Sequence, residues 1–246
     1  MEIAVTGPAG ARVARDHGAD RVELCSALEL GGLTPSAASV ETVAAVGLPV
    51  HVLVRCRPGD FVHEDEEVAL MAAEVRSVLA SGAAGVVVGA LTADGSLDLP
   101  AMARLADAAR SSGRPAEITL HRAIDQSADP VATAALAAEL GLTRILTSGG
   151  APTAVDGLAT LAAVAAAAPG VEVMAGAGVR PTDVPRLAGA GVAAVHLSAK
   201  RRAPTRRGAA WVPMGAAGTS AEQDTHFLTD PETVAAARAA VDAVLR

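Results

Sequence analysis

The chain has 246 residues, enough to bury a sizeable core as one large α/β domain or two small ones. Lys and Arg number 20 against 27 Asp and Glu, and the formal net charge of −7 argues against a broad nucleic-acid-binding surface. Hydrophobic residues make up 51% but aromatics only 1%, so the core has to be assembled from Ala, Val, Leu and Ile.

The opening MEIAVTG predicts a strand over Glu2–Val5 and lacks the basic start and long apolar stretch of a signal peptide, which implies a cytoplasmic protein. Further short β-branched runs predict strands over Arg21–Leu24, Val50–Arg55, Gly85–Val88, Glu117–Leu120, Arg144–Thr147, Val171–Ala175 and Ala193–Leu197. Helical patterns separate them. In EDEEVALMAAEVRSVLASG, Val68, Met71, Val75, Val78 and Leu79 recur at helical spacing. In DPVATAALAAELG, Asp129 is placed to cap and Pro130 to open a helix. Ala-rich runs such as LATLAAVAAAAPG read as helices against a sheet. None reaches the roughly 18 strongly apolar residues of a membrane span, so no membrane partner is expected.

Eight strand–helix units in this length predict a single domain over 1–246 with a closed (β/α)8 TIM barrel. A doubly wound open sheet is the alternative, disfavoured because no GxGxxG follows the first strand. Residues 199–230 are rich in Gly, Pro, Thr and Arg and read as a long loop after strand eight. Gly208, Gly215 and Gly218 would let it move.

A barrel's site forms at the C-terminal ends of its strands. Polar groups gather there: Glu23 near the end of strand two, Arg55 at the end of three, His121 after five and His196 near the end of eight. Gly-, Ala- and Asp-containing turns introduce most of the opposite ends. These four residues are the candidate catalytic set, with Glu23 or His121 moving a proton and Arg55 holding an anion. The competing reading is a buried Glu23–Arg55 pair bracing adjacent strands. Gly89 leaves room in the cup, and His51, low on strand three, reads as structural. TSGG and AGAG could aim backbone N–H groups at an anion. Thr147, Ser148, Gly149, Gly176 and Ser198 therefore join Arg57, Arg122 and Lys200 as candidate anion-binding residues. Asp125 is expected to cap local backbone or to pair with Arg122.

Two cysteines, Cys25 and Cys56, make no disulfide framework. Two thiolates can bind Cu(I), so Cys25 and Cys56 are read as a candidate two-cysteine copper site, although no CxxC or CxC is present. His121, His196 and Glu23 form an alternative zinc set.

Seven segments in order carry a family resemblance: ADRVELCSALELGGLTPS, VHVLVRCRPGDF, GVVVGALTADGSLD, TLHRAID, ILTSGG, VMAGAGV and VHLSA. Together they make the chain similar to the CutC family. The resemblance implies a cytoplasmic (β/α)8 barrel, copper tolerance or trafficking, Cu(I) as the metal and a homo-oligomer. Cys25 matches the family's ELC element. Ala4 stands where many relatives carry cysteine, and Cys56 where they often carry proline. Three functions stay open: copper handling, an enzyme acting on a small phosphorylated or carboxylated metabolite, and a non-catalytic structural or partner-binding barrel.

Overall fold

The computed structural model describes residues 1–204 and 226–245. Eight parallel strands close in chain order: β1 (Glu2–Val5), β2 (Arg21–Leu24), β3 (Val50–Leu53), β4 (Gly85–Val88), β5 (Glu117–Leu120), β6 (Arg144–Thr147), β7 (Glu172–Ala175) and β8 (Ala194–Leu197). The sheet shuts where β8 pairs with β1, Glu2 opposite His196 and Ile3 opposite Leu197. This closure rules out the doubly wound alternative.

Among the described residues the helices are α1 (Pro8–Asp16), α2 (Ala37–Ala44), α3 (Asp65–Ala80), α4 (Leu99–Arg110), α5 (Pro130–Glu139), α6 (Leu158–Ala167), α7 (Val184–Gly189) and α8 (Pro231–Val244). In α3 the periodic residues Val68, Met71, Val75, Val78 and Leu79 are all buried, and Glu64 and Glu67 close a reciprocal capping box. Asp129 caps α5 by accepting from the N–H groups of Val131 and Ala132.

Side chains alternate across each strand. Outward residues such as Ile3, Val22, Val52, Val86, Ile118 and Ile145 are buried beneath the helices, in one apolar layer filled largely by Val and Ala. Small and β-branched side chains let the helices lie close to the sheet without aromatic filler.

The inward face is different. Gly- and Ala-containing turns introduce most of the strands, as expected, but the first strand residues themselves carry an ionic base. Arg21 Nε meets Glu2 at 2.8 Å and its NH2 meets Glu172 at 2.6 Å. Arg144 reaches Glu172 at 2.9 Å and Glu117 at 2.7 Å. His51 Nδ1 stands 3.1 Å from Arg144 NH1, which bears out its structural assignment.

Strand three ends at Leu53, short of the expected Arg55. Past it the backbone leaves the sheet: Arg55 N–H donates to Thr34 Oγ1 at 2.9 Å, and Thr34 N–H donates to the Arg55 carbonyl at 3.1 Å. The 199–230 segment is not loop throughout. Its ends pair as an antiparallel ribbon, β9 (Lys200–Arg202) with β10 (Phe227–Thr229). Gly208, Gly215 and Gly218, with the expectation of movement attached to them, lie outside the described residues.

Candidate active site

The C-terminal mouth of the barrel opens into a cavity of about 640 Å³ lined by Glu23, Arg55, His121, Arg122, His196 and Ser198, among others. This is a volume suited to a small metabolite. The four residues expected as a catalytic set all face it.

Arg55 is 7% exposed, and its hydrogen-bond acceptors are carbonyls. NH1 donates to Leu30 O at 3.2 Å and Gly32 O at 3.3 Å, and NH2 to Gly59 O at 2.8 Å. Its Nε has no hydrogen-bond partner among the described residues, and the guanidinium lies 5.1 Å from the centre of the Phe61 ring. No carboxylate among the described residues forms an ion pair with it, so the expected alternative of a Glu23–Arg55 brace is not what the structure holds. A guanidinium stays charged. Among the described residues no ion pair balances its positive charge at the cavity wall.

His121 packs its ring 4.8 Å from Phe61. Gly89 makes the room: a Cβ there would stand 2.4 Å from the His121 ring. Burial first, and the Arg55 charge second, push the imidazole down to about 3, so it is neutral. Nδ1 accepts from Ala123 N–H at 3.1 Å, which leaves the proton on Nε2. That Nε2 is buried without a partner among the described residues and belongs to a residue lining the cavity.

Glu23 faces His196, with Nε2 to carboxylate at 3.7 Å, and the other ring nitrogen bonds Glu2 at 2.8 Å. Burial raises Glu23 to about 7, with Glu2 adding repulsion and His196 partly opposing both. Burial would raise Glu2 as well, but the hydrogen bond and charge of His196, with Arg21 and His51, hold it down at about 2. Burial works against the charged form of His196, and the carboxylates of Glu23 and Glu2 overcome it and raise its pKa. The result is a carboxyl that exchanges a proton near neutrality, backed by an oriented imidazole.

The expected anion-binding turn after β6 is already filled from within. Asp125 accepts from Thr147 Oγ1 at 2.6 Å, Ser148 N–H at 2.9 Å and Gly150 N–H at 3.1 Å. Thr147 and Ser148 are fully buried, and Gly149 N–H donates to Thr147 Oγ1. Gly176 N–H donates to Thr147 O, and a Cβ at Gly176 would stand 2.5 Å from Leu146. Its hydrogen atom in place of a side chain serves close packing rather than an anion. Arg57 is committed to Glu67 at 2.6 Å and Asp60 at 3.1 Å. Lys200 lies on the ribbon, 4.4 Å from the Phe227 ring. Neither lines the cavity. Arg122 and Ser198 do, and Arg122 pairs with Asp125 at 2.7 Å while staying 46% exposed.

Cys25 is 1% exposed in a small apolar cluster with Leu53 and Val87. Burial, with Glu23 and Glu29 beside it, pushes its thiol up to about 12. It does not line the cavity, and both cysteines are free. Nor do His121, His196 and Glu23 converge as three metal ligands; among the described residues such convergence occurs elsewhere. The sequence reading missed Phe61, which a strand-end survey passes over because it lies in a loop. It also missed Glu2, whose inward parity was available from Ala4, its neighbour two residues on.

A family model described as the CutC family matches residues 1–201. A CutC family protein of Klebsiella pneumoniae strain 342 is 42% identical over 206 residues, covering 83% of this chain and 82% of that one. One from Agrobacterium fabrum strain C58 is 46% identical over 185 residues, covering 75% and 72% respectively. The solved structure of a Streptococcus agalactiae CutC, titled a copper homeostasis protein, superposes with a TM-score of 0.73 at 25% identity, covering 80% of this chain and 97% of that one.

Proposed function

We infer the function from two premises: the chain belongs to the CutC family, and the mouth of its barrel presents unspent polar groups to a cavity. The reading these support best is an enzyme that moves a proton on a small metabolite bearing a carboxylate or phosphate beside a carbonyl. Arg55, with Arg122 at the rim, holds the anion. The neutral His121 donates its Nε2–H to the carbonyl oxygen as negative charge develops there. Glu23 takes the proton and returns it, while His196, held by Glu2, steadies the carboxyl in both states. The observation that carries this reading is the buried Arg55 cation, whose hydrogen bonds among the described residues go to carbonyls alone. Ser198 completes the wall. The cytoplasmic location and homo-oligomeric assembly belong to the same proposal, the latter checked by light scattering of the purified chain. No helix among the described residues is long and apolar enough to cross a membrane.

The test is thermal stabilisation by phosphate, 2-phosphoglycolate and malonate, with neutral glycerol as control. A ligand bound at about 100 times its Kd stabilises by about 2.7 kcal/mol. Stabilisation by an anion that is lost in Arg55→Gln and weakened in His121→Asn supports the reading. No response to any anion, or an undiminished response in both variants, refutes it.

Direct Cu(I) handling through Cys25 is the second reading, favoured by the copper homeostasis role for which the Streptococcus agalactiae relative is named. The buried, protonated thiol counts against it, because the thiolate is the ligand. Anaerobic Cu(I) titration against a chromophoric chelator decides: one tight equivalent lost in Cys25→Ser would make copper handling the working mechanism. No binding would leave copper as an indirect phenotype.

A further inference from the structure

We propose that Cys56, His63 and Glu67 form a separate site for a zinc-class divalent transition-metal ion, which fastens the loop between β3 and α3. It lies outside the catalytic cup, and its failure would leave the enzymatic reading untouched.

The three side chains come from distinct points on one short path. Cys56 follows β3, His63 lies in the loop, and Glu67 sits in the first turn of α3. One potential ligand atom from each lies within 4.8 Å of the other two. The second observation is His63 itself. Its side chain is 1% exposed, yet among the described residues neither ring nitrogen has a well-formed hydrogen bond. Nδ1 stands 3.5 Å from the Glu67 carboxylate, at the limit of hydrogen-bond reach, and Nε2 has no partner among the described residues. A buried imidazole left this way forfeits the hydrogen bonds that water gives it in the unfolded chain. A metal ion would satisfy one nitrogen directly.

The donor set selects the class of ion. Thiolate, imidazole and carboxylate together suit zinc, whereas the hard carboxylate oxygen is a poor ligand for Cu(I). Zinc bonds of about 2.0–2.3 Å put neighbouring ligand atoms roughly 3.3–3.8 Å apart in a tetrahedron, so the three groups need close by only about 1 Å. Three protein ligands leave a fourth position for water. The charges balance: the Cys56 thiolate and Glu67 carboxylate offset the ion, and Asp60 offsets Arg57. Binding releases the Cys56 thiol proton to solvent. Glu67 is already oriented, accepting from Arg57 Nε at 2.6 Å and Glu64 N–H at 3.1 Å, and it retains free lone pairs. The expected anion-binding role of Arg57 thus gives way to that of a positioning residue. Between Cys56 and His63 lie Gly59, whose carbonyl anchors Arg55, and Phe61, which packs on His121. An ion here would stiffen one wall of the cup without touching substrate.

The experiment is anaerobic Co(II) titration of the full chain, freed of metal and kept reduced. One equivalent should develop a thiolate-to-cobalt charge-transfer band that Zn(II) displaces. Cys56→Ser should abolish the band, and His63→Gln should weaken binding more than about 100-fold, beyond what loss of a supporting contact costs. Cys25→Ser should retain both. Circular dichroism confirms folding. In the unmutated chain, Zn(II) should protect Cys56 from alkylation, which keeps the test valid if a variant misfolds. Absence of the band in folded wild type, its persistence in Cys56→Ser, or alkylation of Cys56 undiminished by Zn(II) overturns the proposal.

Discussion

Replacing Glu23 with Gln should stabilise the protein at alkaline pH and leave it nearly unchanged in acid. Glu23 rises from the ordinary 4.5 to about 7 in the folded state. Between those values the folded protein binds more protons than the unfolded chain, so stability falls as pH rises through the window. A difference of about 2.5 pH units at 1.36 kcal/mol each is about 3 kcal/mol, an upper bound that already contains the attraction of His196. Gln imitates the protonated carboxyl and removes that cost. Urea unfolding of both proteins at pH 4 and pH 8, below and above the window, is the assay. The midpoints should agree at pH 4, and the variant should be more stable by about 1–3 kcal/mol at pH 8 with unchanged slope. Equal differences at the two pH values, or a less stable variant at pH 8, would refute the raised pKa and with it the proton-transfer role.

Other substitutions probe the surroundings. Arg144→Met leaves half-exposed Glu117 without its partner and Glu172 with Arg21 alone, and should cost about 1–3 kcal/mol in chemical denaturation. Gly89→Ala places a methyl against the His121 ring. It should destabilise by about 1–3 kcal/mol and shift the His121 imidazole resonances in NMR spectra. Asp125→Asn keeps one acceptor oxygen but loses the Arg122 ion pair and should cost about 1–3 kcal/mol in urea unfolding. In timed alkylation followed by mass spectrometry, Cys25 should react more slowly than half-buried Cys56, because its thiol is both sealed and protonated.

The barrel was legible because its outward strand residues are apolar and its helices carry period and caps that agree with one another. Glu23, Arg55, His121 and His196 were legible for a simpler reason: each stands at or just past a strand's C-terminal end, and topology alone brings those ends together. What topology does not specify is pairing. Glu23 and Arg55 sit on adjacent strand ends with opposite charge, yet Glu23 turns to His196 and Arg55 to carbonyls of the loops beside it. The TSGG turn has the composition of an anion cradle, but Asp125 occupies it, and a carboxylate from the preceding strand–helix connection leaves no composition signal. His63 lies in a stretch of charged residues that reads as solvated surface; its burial follows from how the loop folds onto α3, which spacing does not disclose.

The ionic base bears on why Glu23 behaves as proposed. Buried ion networks rarely stabilise a fold more than well-packed apolar side chains would, and barrel interiors are commonly filled with Val, Ile and Leu. Here the apolar layer under the helices already supplies a continuous core. The network instead runs from Glu117 and Arg144 through Glu172 and Arg21 to Glu2, and Glu2 bonds His196 Nδ1. That bond turns Nε2 toward Glu23. An apolar residue in place of Glu2 would free the ring and remove the repulsion that helps lift Glu23 toward neutrality. We therefore read Glu2 as a positioning residue. The arrangement follows the logic of a base held by a third group, with that group anchored by arginines at the closed end of the barrel.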